Sequence, residues 1–345
     1  MNQLIARIRP VDEAARRAAE RLLDEKTKPR RSLGRLEHLG AQIAAVRGGV
    51  PAGFEAAIVV AAGDHGIAAE GVSAYPQEVT AQMVLNFAAG GAAINVLARE
   101  AGARLVVVDA GVVTPVEHEL VRPLRVGPGT ANFALGPAMP GELAEQAVLA
   151  GAALVDELEG IDAIGVGEMG IGNTTSASAL VSALLGVEPE LVCGRGTGLD
   201  DAGVTRKAAT VSRALAANDV DPGEPLAVLA AFGGFEIAVL VGVALGCAAN
   251  RVVCVLDGFI TGAAALVAAR LAPDAVGAMI ASHRSTEPGH RIVLGALGLE
   301  PVLDLGLRLG EGSGAALVLP LLRSAVAVLN DMATFTTAGV TDAGR

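Results

Sequence analysis

Six short apolar runs, each followed by polar or glycine residues, constrain this chain more than any other feature. They are Ala56–Ala62, Leu105–Ala110, Ala163–Val166, Leu226–Ala231, Arg251–Leu256 and Ala278–Ala281. None alternates cleanly between apolar and polar positions. Each therefore reads as a strand buried on both faces, as strands are inside a parallel sheet. Helix-length segments separate them: Val79–Glu100, Glu142–Glu157, Ser176–Leu185, Ala202–Ala217, Ile237–Ala249 and Gly262–Leu271. This alternation predicts an α/β fold with a doubly wound parallel sheet. The chain ends read as helical, at Val11–Glu25, Leu33–Val46 and Ser313–Met332. The Pro- and Gly-rich stretch Gly127–Gly141 reads as a surface excursion, and no internal repeat is visible.

In an open parallel sheet, ligands sit beyond the carboxyl ends of the strands. The residues there are Gly63-Asp64-His65-Gly66, Asp109-Ala110-Gly111, a glycine loop after Val166, Phe232-Gly233-Gly234-Phe235-Glu236, Asp257-Gly258-Phe259 and Ser282-His283-Arg284-Ser285. Any one could be a turn or a helix cap. Six on one edge predict the rim of an active site.

The glycine loop, Gly165-Val166-Gly167-Glu168-Met169-Gly170-Ile171-Gly172-Asn173-Thr174-Thr175-Ser176, carries the most chemistry. Strand, glycines and helix start follow in order. Backbone N–H groups at Gly170–Asn173 and the positive end of a helix dipole make a seat for a phosphate. No lysine follows as in a Walker loop. Forcing the dinucleotide pattern onto Gly165, Gly167 and Gly170 aims the Glu168 carboxylate at the pyrophosphate. A phosphorylated substrate fits better than a dinucleotide cofactor, and a ligand-free turn is the plain alternative. No cofactor is expected.

Composition narrows the partners. Of 345 residues, 52% are apolar, which allows a large core, and the formal charge of −11 argues against a nucleic-acid binder. One Tyr, seven Phe and no Trp leave few stacking platforms. An acidic protein that binds an anion depends on its few cations, and Lys207 is the only lysine beyond Lys28. Cys193, Cys247 and Cys254 lack metal-ligand spacing and suit a reduced cytoplasmic setting. The N-terminus is amphipathic and charged, without the apolar core of a signal peptide. The longest charge-free runs, Val79–Ala98 and Met169–Val187, hold Gln, Asn, Thr, Ser or Gly, so no membrane span is expected.

Asp64-His65 reads equally as a turn with a capping Asp and as part of a metal site or dyad, and no second ligand at metal spacing supports the metal. Glu311, in Leu309-Gly310-Glu311-Gly312-Ser313-Gly314, has no neighbouring cation in sequence. In an apolar pocket its pKa would rise towards neutrality, which suits a general base. The alternative is a Glu favoured by the dipole of the helix it precedes.

Together, Gly167–Thr175, Gly63–Gly66, Ser32-Leu33-Gly34 and Gly310–Ala315 resemble the nicotinate-nucleotide:dimethylbenzimidazole phosphoribosyltransferase family, over essentially the whole chain. The resemblance implies a Rossmann-like sheet plus a small helical domain made from both chain ends. The boundaries are then residues 1–50 and 311–345 for the small domain and 51–310 for the large one, which carries the active site. It also implies a homodimer in which the partner's small domain helps close the base cavity. The implied reaction joins 5,6-dimethylbenzimidazole to the ribose of nicotinate mononucleotide with inversion, in cobalamin synthesis. By motif match Glu311 is the catalytic base. Ser73, Tyr75 and Gln77 look like the base-contacting loop. Gly170, Ile171, Gly172, Asn173 and Thr174 would hold the nucleotide, and Lys207 matches a nucleotide-site lysine. Glu168 either orients the base or serves as a second carboxylate. Arg30-Arg31 departs from the residues expected before Ser32-Leu33-Gly34. A nucleotide-binding regulator on the same fold would lack the Glu311 motif. A dinucleotide-dependent oxidoreductase would need a fingerprint after the first strand, where Gly63–Gly66 does not qualify.

Overall fold

Every residue of Ala56–Gly63 (β1) is buried, and it takes a neighbour on each edge. In this computed structural model, which describes residues 1–341, β1 is joined by Arg104–Gly111 (β2), Val121–Pro123 (β3), Ala163–Met169 (β4), Val253–Leu256 (β5) and Met279–Ala281 (β6). All pairings are parallel, in the order β3-β2-β1-β4-β5-β6. This is the Rossmann order, and the chain reverses direction across the sheet between β1 and β4. Helix Phe235–Ala249, whose residues are buried almost throughout, covers one face, with helix Gly141–Glu157 packed outside it. Helix Ser313–Asp331 covers the other, beside Ala93–Glu100 and Arg35–Arg47.

Two departures from the sequence pattern have clear causes. Leu226–Ala231 is not a strand but the inside of a helix, Pro225–Phe232. Pro225 at its first position presets the helical φ and needs no N–H partner there. A short apolar run packed on all sides has no period to separate helix from strand, and this one lies against helices Asn173–Leu185 and Gly141–Glu157. The remaining strand is instead Val121–Pro123, three residues long with two exposed. Pro123 lacks a donor, which confines such a segment to a sheet edge.

Val79–Glu100 divides into helices Val79–Ala88 and Ala93–Glu100, because Gly90 turns the chain at φ +80°. Asn95 locks the break, accepting from the Ala92 N–H at 3.0 Å and donating to the Phe87 carbonyl at 2.8 Å. Gly127–Gly141 is only partly a surface excursion. Thr130 bridges to His65, and Phe133 is fully buried edge-on against Phe232 with ring centroids 6.1 Å apart.

The terminal helices meet. Glu13–Glu25, Arg35–Arg47 and Ser313–Asp331 share a cluster of Ala19, Leu23, Ala41, Ala44 and Leu329. Lys26 donates to the Met332 carbonyl at 2.6 Å, and Lys28 pairs with Glu37 at 2.8 Å in buried surroundings. The short first helix, Asn2–Arg7, lies instead on the α/β unit, where Arg7 pairs with Asp156. Residues 342–345 of the expected small domain lie outside the described residues.

Candidate active site

The carboxyl ends of β4, β5 and β6, on one side of the reversal in winding, open onto a cavity of about 280 Å³. Its wall includes Glu168, Gly170, Ile171, Asn173 and Thr174 from the glycine loop, and Gly310 and Glu311 from the segment before the last long helix. The close approach of these two segments depends on Gly167. A Cβ there would fall on the Glu311 carbonyl and the Gly312 nitrogen. Two glycines that precede the expected phosphate seat do packing: Gly167 admits the Glu311 loop, and Gly165 faces Ala315 at the start of its helix.

Glu311 stands in an uncommon backbone state. Its φ is +63°, between Gly310 at +85° and Gly312 at +82°. Left-handed φ is rare for a residue with a side chain and persists only where the surroundings impose it. Here Asp257, immediately after β5, accepts N–H bonds from Gly312 at 3.1 Å, Gly314 at 2.6 Å and Ala315 at 3.3 Å. The Glu311 carboxylate is buried, and its Oε2 has no hydrogen-bond partner among the described residues. Burial raises its pKa above the ordinary value, and the Ile94 N–H, in the first turn of helix Ala93–Glu100, opposes the shift.

Glu168 lies deeper. Burial pushes its pKa up to about 8, with the Asn173 side chain resisting the rise and the carboxylates of Asp257, Glu236 and Glu311 adding to it. Two neighbouring carboxyl groups thus stand in unlike surroundings, a pattern associated with acid–base sites.

The glycine loop keeps part of its backbone to itself. The Ile171 N–H donates to Thr80 Oγ1 and the Asn173 N–H to the Gly170 carbonyl, each at 3.1 Å. Two of the four N–H groups expected to meet a phosphate are therefore engaged internally. Gly172 caps helix Asn173–Leu185 at φ +96° and does not itself line the cavity. Lys207 sits one layer back, 1% exposed, donating to Thr174 Oγ1 at 3.0 Å and to the Gly194 carbonyl at 3.1 Å. Burial lowers its pKa and the Glu287 carboxylate opposes that. In the expected base loop, Tyr75 lines the cavity and is 54% exposed. Ser73 reaches the wall through Thr197, 3.1 Å away, whereas Gln77 turns the chain into helix Val79–Ala88 and does not line the cavity.

Asp64 and His65 separate in role. Asp64 accepts the Val113 N–H at 2.7 Å and ties β1 to the segment after β2. His65 Nε2 meets Glu236 Oε1 at 2.6 Å, with neither side chain exposed, beneath Gly170. The Phe232–Glu236 segment thus reaches the sheet edge as predicted, though from between two helices. His283 and Ser285, part of the predicted rim, line the cavity, as do Glu287 and Arg308, which the sequence pattern does not place at the site. His283 and Ser285 stand at a strand end and are findable by position. Arg308 lies in an irregular exposed stretch with no signal around it. Among the described residues, no group of three or more His, Cys, Asp or Glu is placed to hold a metal ion.

The family model described as phosphoribosyltransferase, DBI_PRT, matches residues 8–340. The nicotinate-nucleotide–dimethylbenzimidazole phosphoribosyltransferase of Roseiflexus sp. (strain RS-1) is 52% identical over 345 residues, covering 99% of this chain and 98% of its own. The enzyme of that name from Azotobacter vinelandii is 52% identical over 343 residues, covering 98% and 97%. The chain belongs to this family. A crystal structure of CobT from Thermus thermophilus superposes with a TM-score of 0.91 at 50% identity, covering 95% of this chain and 99% of that one. The phosphoribosyltransferase fold is therefore shared over nearly the whole chain. Membership makes the chain a phosphoribosyltransferase, and the cavity beyond the carboxyl ends of β4, β5 and β6 is where the fold offers a ligand its place.

Proposed function

We propose that this cavity joins 5,6-dimethylbenzimidazole to the ribose 5-phosphate of nicotinate mononucleotide, releasing nicotinate and giving α-ribazole 5′-phosphate for cobalamin biosynthesis. In the substrate the pyridine nitrogen is bonded to C1′ and carries positive charge. When that bond breaks, the ring nitrogen keeps the electron pair and leaves neutral, so departure needs no proton donor. A benzimidazole ring nitrogen forms the new bond to C1′ from the opposite face, with inversion. Its other nitrogen then carries an acidic N–H, and this proton needs an acceptor.

The observation that carries the reading is the Glu311 carboxylate: buried, on the cavity wall, with one oxygen unpartnered among the described residues. Burial strengthens it as a base, while the Ile94 N–H helps keep it ionised. Glu168, with a pKa near 8, is mostly protonated at neutral pH and suits orienting the base or holding a second proton site. Thr174, backed by Lys207, faces the nucleotide, with the free part of the glycine loop and the helix dipole behind the phosphate. Tyr75 and Phe259 offer flat apolar surface to the base. Free, buried Cys193, Cys247 and Cys254 support a reducing, cytoplasmic setting.

Incubating the protein with nicotinate mononucleotide and a panel of benzimidazoles and purines, then identifying products by mass and anomeric configuration, tests the reading. The α-riboside phosphate with equimolar nicotinate is expected. Nicotinate release without a riboside, or retention at C1′, would overturn it.

A further inference from the structure

Three consecutive left-handed residues, Gly310, Glu311 and Gly312, do not hold themselves. Among the described residues, the carboxylate that grips the segment from outside is Asp257, whose two oxygens take the N–H groups of Gly312, Gly314 and Ala315. Asp257 is 1% exposed and leaves the sheet directly from β5, a central strand, so its own position is fixed. It is backed by His283, whose Nδ1 lies 3.7 Å from Asp257 Oδ1 and 3.1 Å from Ser282 Oγ. The Gly314 Cα packs on that ring, which leaves no room for the helix start to slide. An acidic group at a helix N-terminus is ordinary capping. The extra feature is that the first captured N–H belongs to the residue after Glu311. The clamp therefore fixes the φ and ψ on which the direction of the Glu311 side chain depends.

We propose that Asp257 is a positioning residue for the transfer reaction, holding the Glu311 carboxylate at the azole N–H. This rests on the reading of Glu311 as the base. A shift of the base by about 1 Å costs on the order of 10²-fold in rate. The expected signature is thus a loss of turnover with nucleotide binding kept.

Three variants test it: Asp257→Asn, which loses one acceptor and the charge; Asp257→Glu, which keeps both on a longer arm; and Glu311→Gln as reference. Each is assayed with 5,6-dimethylbenzimidazole and with 5-nitrobenzimidazole, whose more acidic N–H needs less help from a base. Thermal shift with nicotinate mononucleotide reports folding and binding. Both Asp257 variants should lose roughly 10- to 100-fold in kcat with dimethylbenzimidazole, with KM for the nucleotide changed by less than about threefold. The loss should shrink with the nitro compound, in parallel with Glu311→Gln. Equal losses with both azoles would reduce Asp257 to a structural cap and overturn the proposal, as would wild-type turnover in both variants. If Asp257→Asn does not fold, Asp257→Glu decides on the same criteria. A Glu311→Gln protein with normal turnover would instead overturn the assignment of the base.

Discussion

Asn173 donates its side-chain N–H to Glu168 across the glycine loop, from the first turn of the helix to the end of the strand before it. It is the one side-chain hydrogen bond that Glu168 receives among the described residues, and it does not offset burial: the carboxyl pKa stands at about 8 instead of 4.5. The folded protein therefore holds this proton more tightly than the unfolded chain does. Stability from this group is complete below about pH 4.5 and is lost as pH rises towards 8. Asp257, pushed up to about 7, adds a loss of the same sign between its ordinary 3.8 and that value. Glu168→Gln mimics the protonated form. Its Tm should match wild type near pH 5 and exceed it near pH 8, measured by calorimetry without ligand. Parallel Tm profiles for the two proteins would show that Glu168 ionises freely in the fold.

Glu311→Gln keeps the shape of the side chain and removes its basicity. Turnover should fall by roughly 10²–10⁴-fold, with little change in affinity for nicotinate mononucleotide, which does not need the base to bind. Steady-state kinetics with direct titration of the nucleotide measures both. Near-normal turnover would move the proton to Glu168 or to solvent.

Much of this fold is legible in the sequence because burial on both faces leaves a plain mark. β1, β2, β4, β5 and β6 all appear as apolar runs with polar ends. The fourth run misleads for the reason the others succeed: Leu226–Ala231 is equally apolar, and only the environment distinguishes a buried helix from a buried strand. β3 is invisible because three residues with two exposed carry no pattern. At the site, position is readable and direction is not. Asp257, His283 and Glu236 all stand out after apolar runs. Nothing in the sequence says that Asp257 points at the Glu311 loop or that Glu236 turns down to His65. Those directions follow from which helix starts beside which strand, a property of the assembled sheet. The glycines are legible as a loop and misleading as to purpose, since Gly165 and Gly167 clear space for another segment.

Gly172 separates conformation from contact. A Cβ there would meet Ile67 and Ala68 at 3.4–3.6 Å, ordinary packing distances, so it would clash with no neighbouring residue. The cost comes from φ at +96°, which a side chain tolerates poorly at the cap of helix Asn173–Leu185. Gly172→Ala should lose about 1–2 kcal/mol of stability and, if the loop seats the phosphate as proposed, weaken nicotinate mononucleotide more than free benzimidazole. Calorimetric titration of both ligands checks this. Equal weakening of the two would indicate general disorder of the cavity.

Pro29–Arg35 is exposed throughout, and Leu33 in it is 38% exposed. Tyr75 at the cavity mouth is also open, as are Leu85 and Val96 on the two helices beside it in sequence. A single chain thus leaves Tyr75 uncovered at its own cavity and Leu33, Leu85 and Val96 uncovered on its surface, and a cavity for a flat apolar base gains by losing water. A two-fold dimer, with the small helical domain of one protomer completing the partner's cavity, would cover them. Two variants, each inactive alone, probe the arrangement: Glu311→Gln, and a protein with the Arg30–Gly34 loop replaced. If the two lesions act on opposite sides of a shared site, unfolding and refolding them together yields heterodimers with one intact site. About half the protein should then be heterodimer by random pairing, with activity regained in proportion. Sedimentation of the unmodified protein should show a dimer at micromolar concentration. A fully active monomer, or a mixture that never regains activity while heterodimers are present by mass, would place both lesions in one subunit's site and remove the case for assembly.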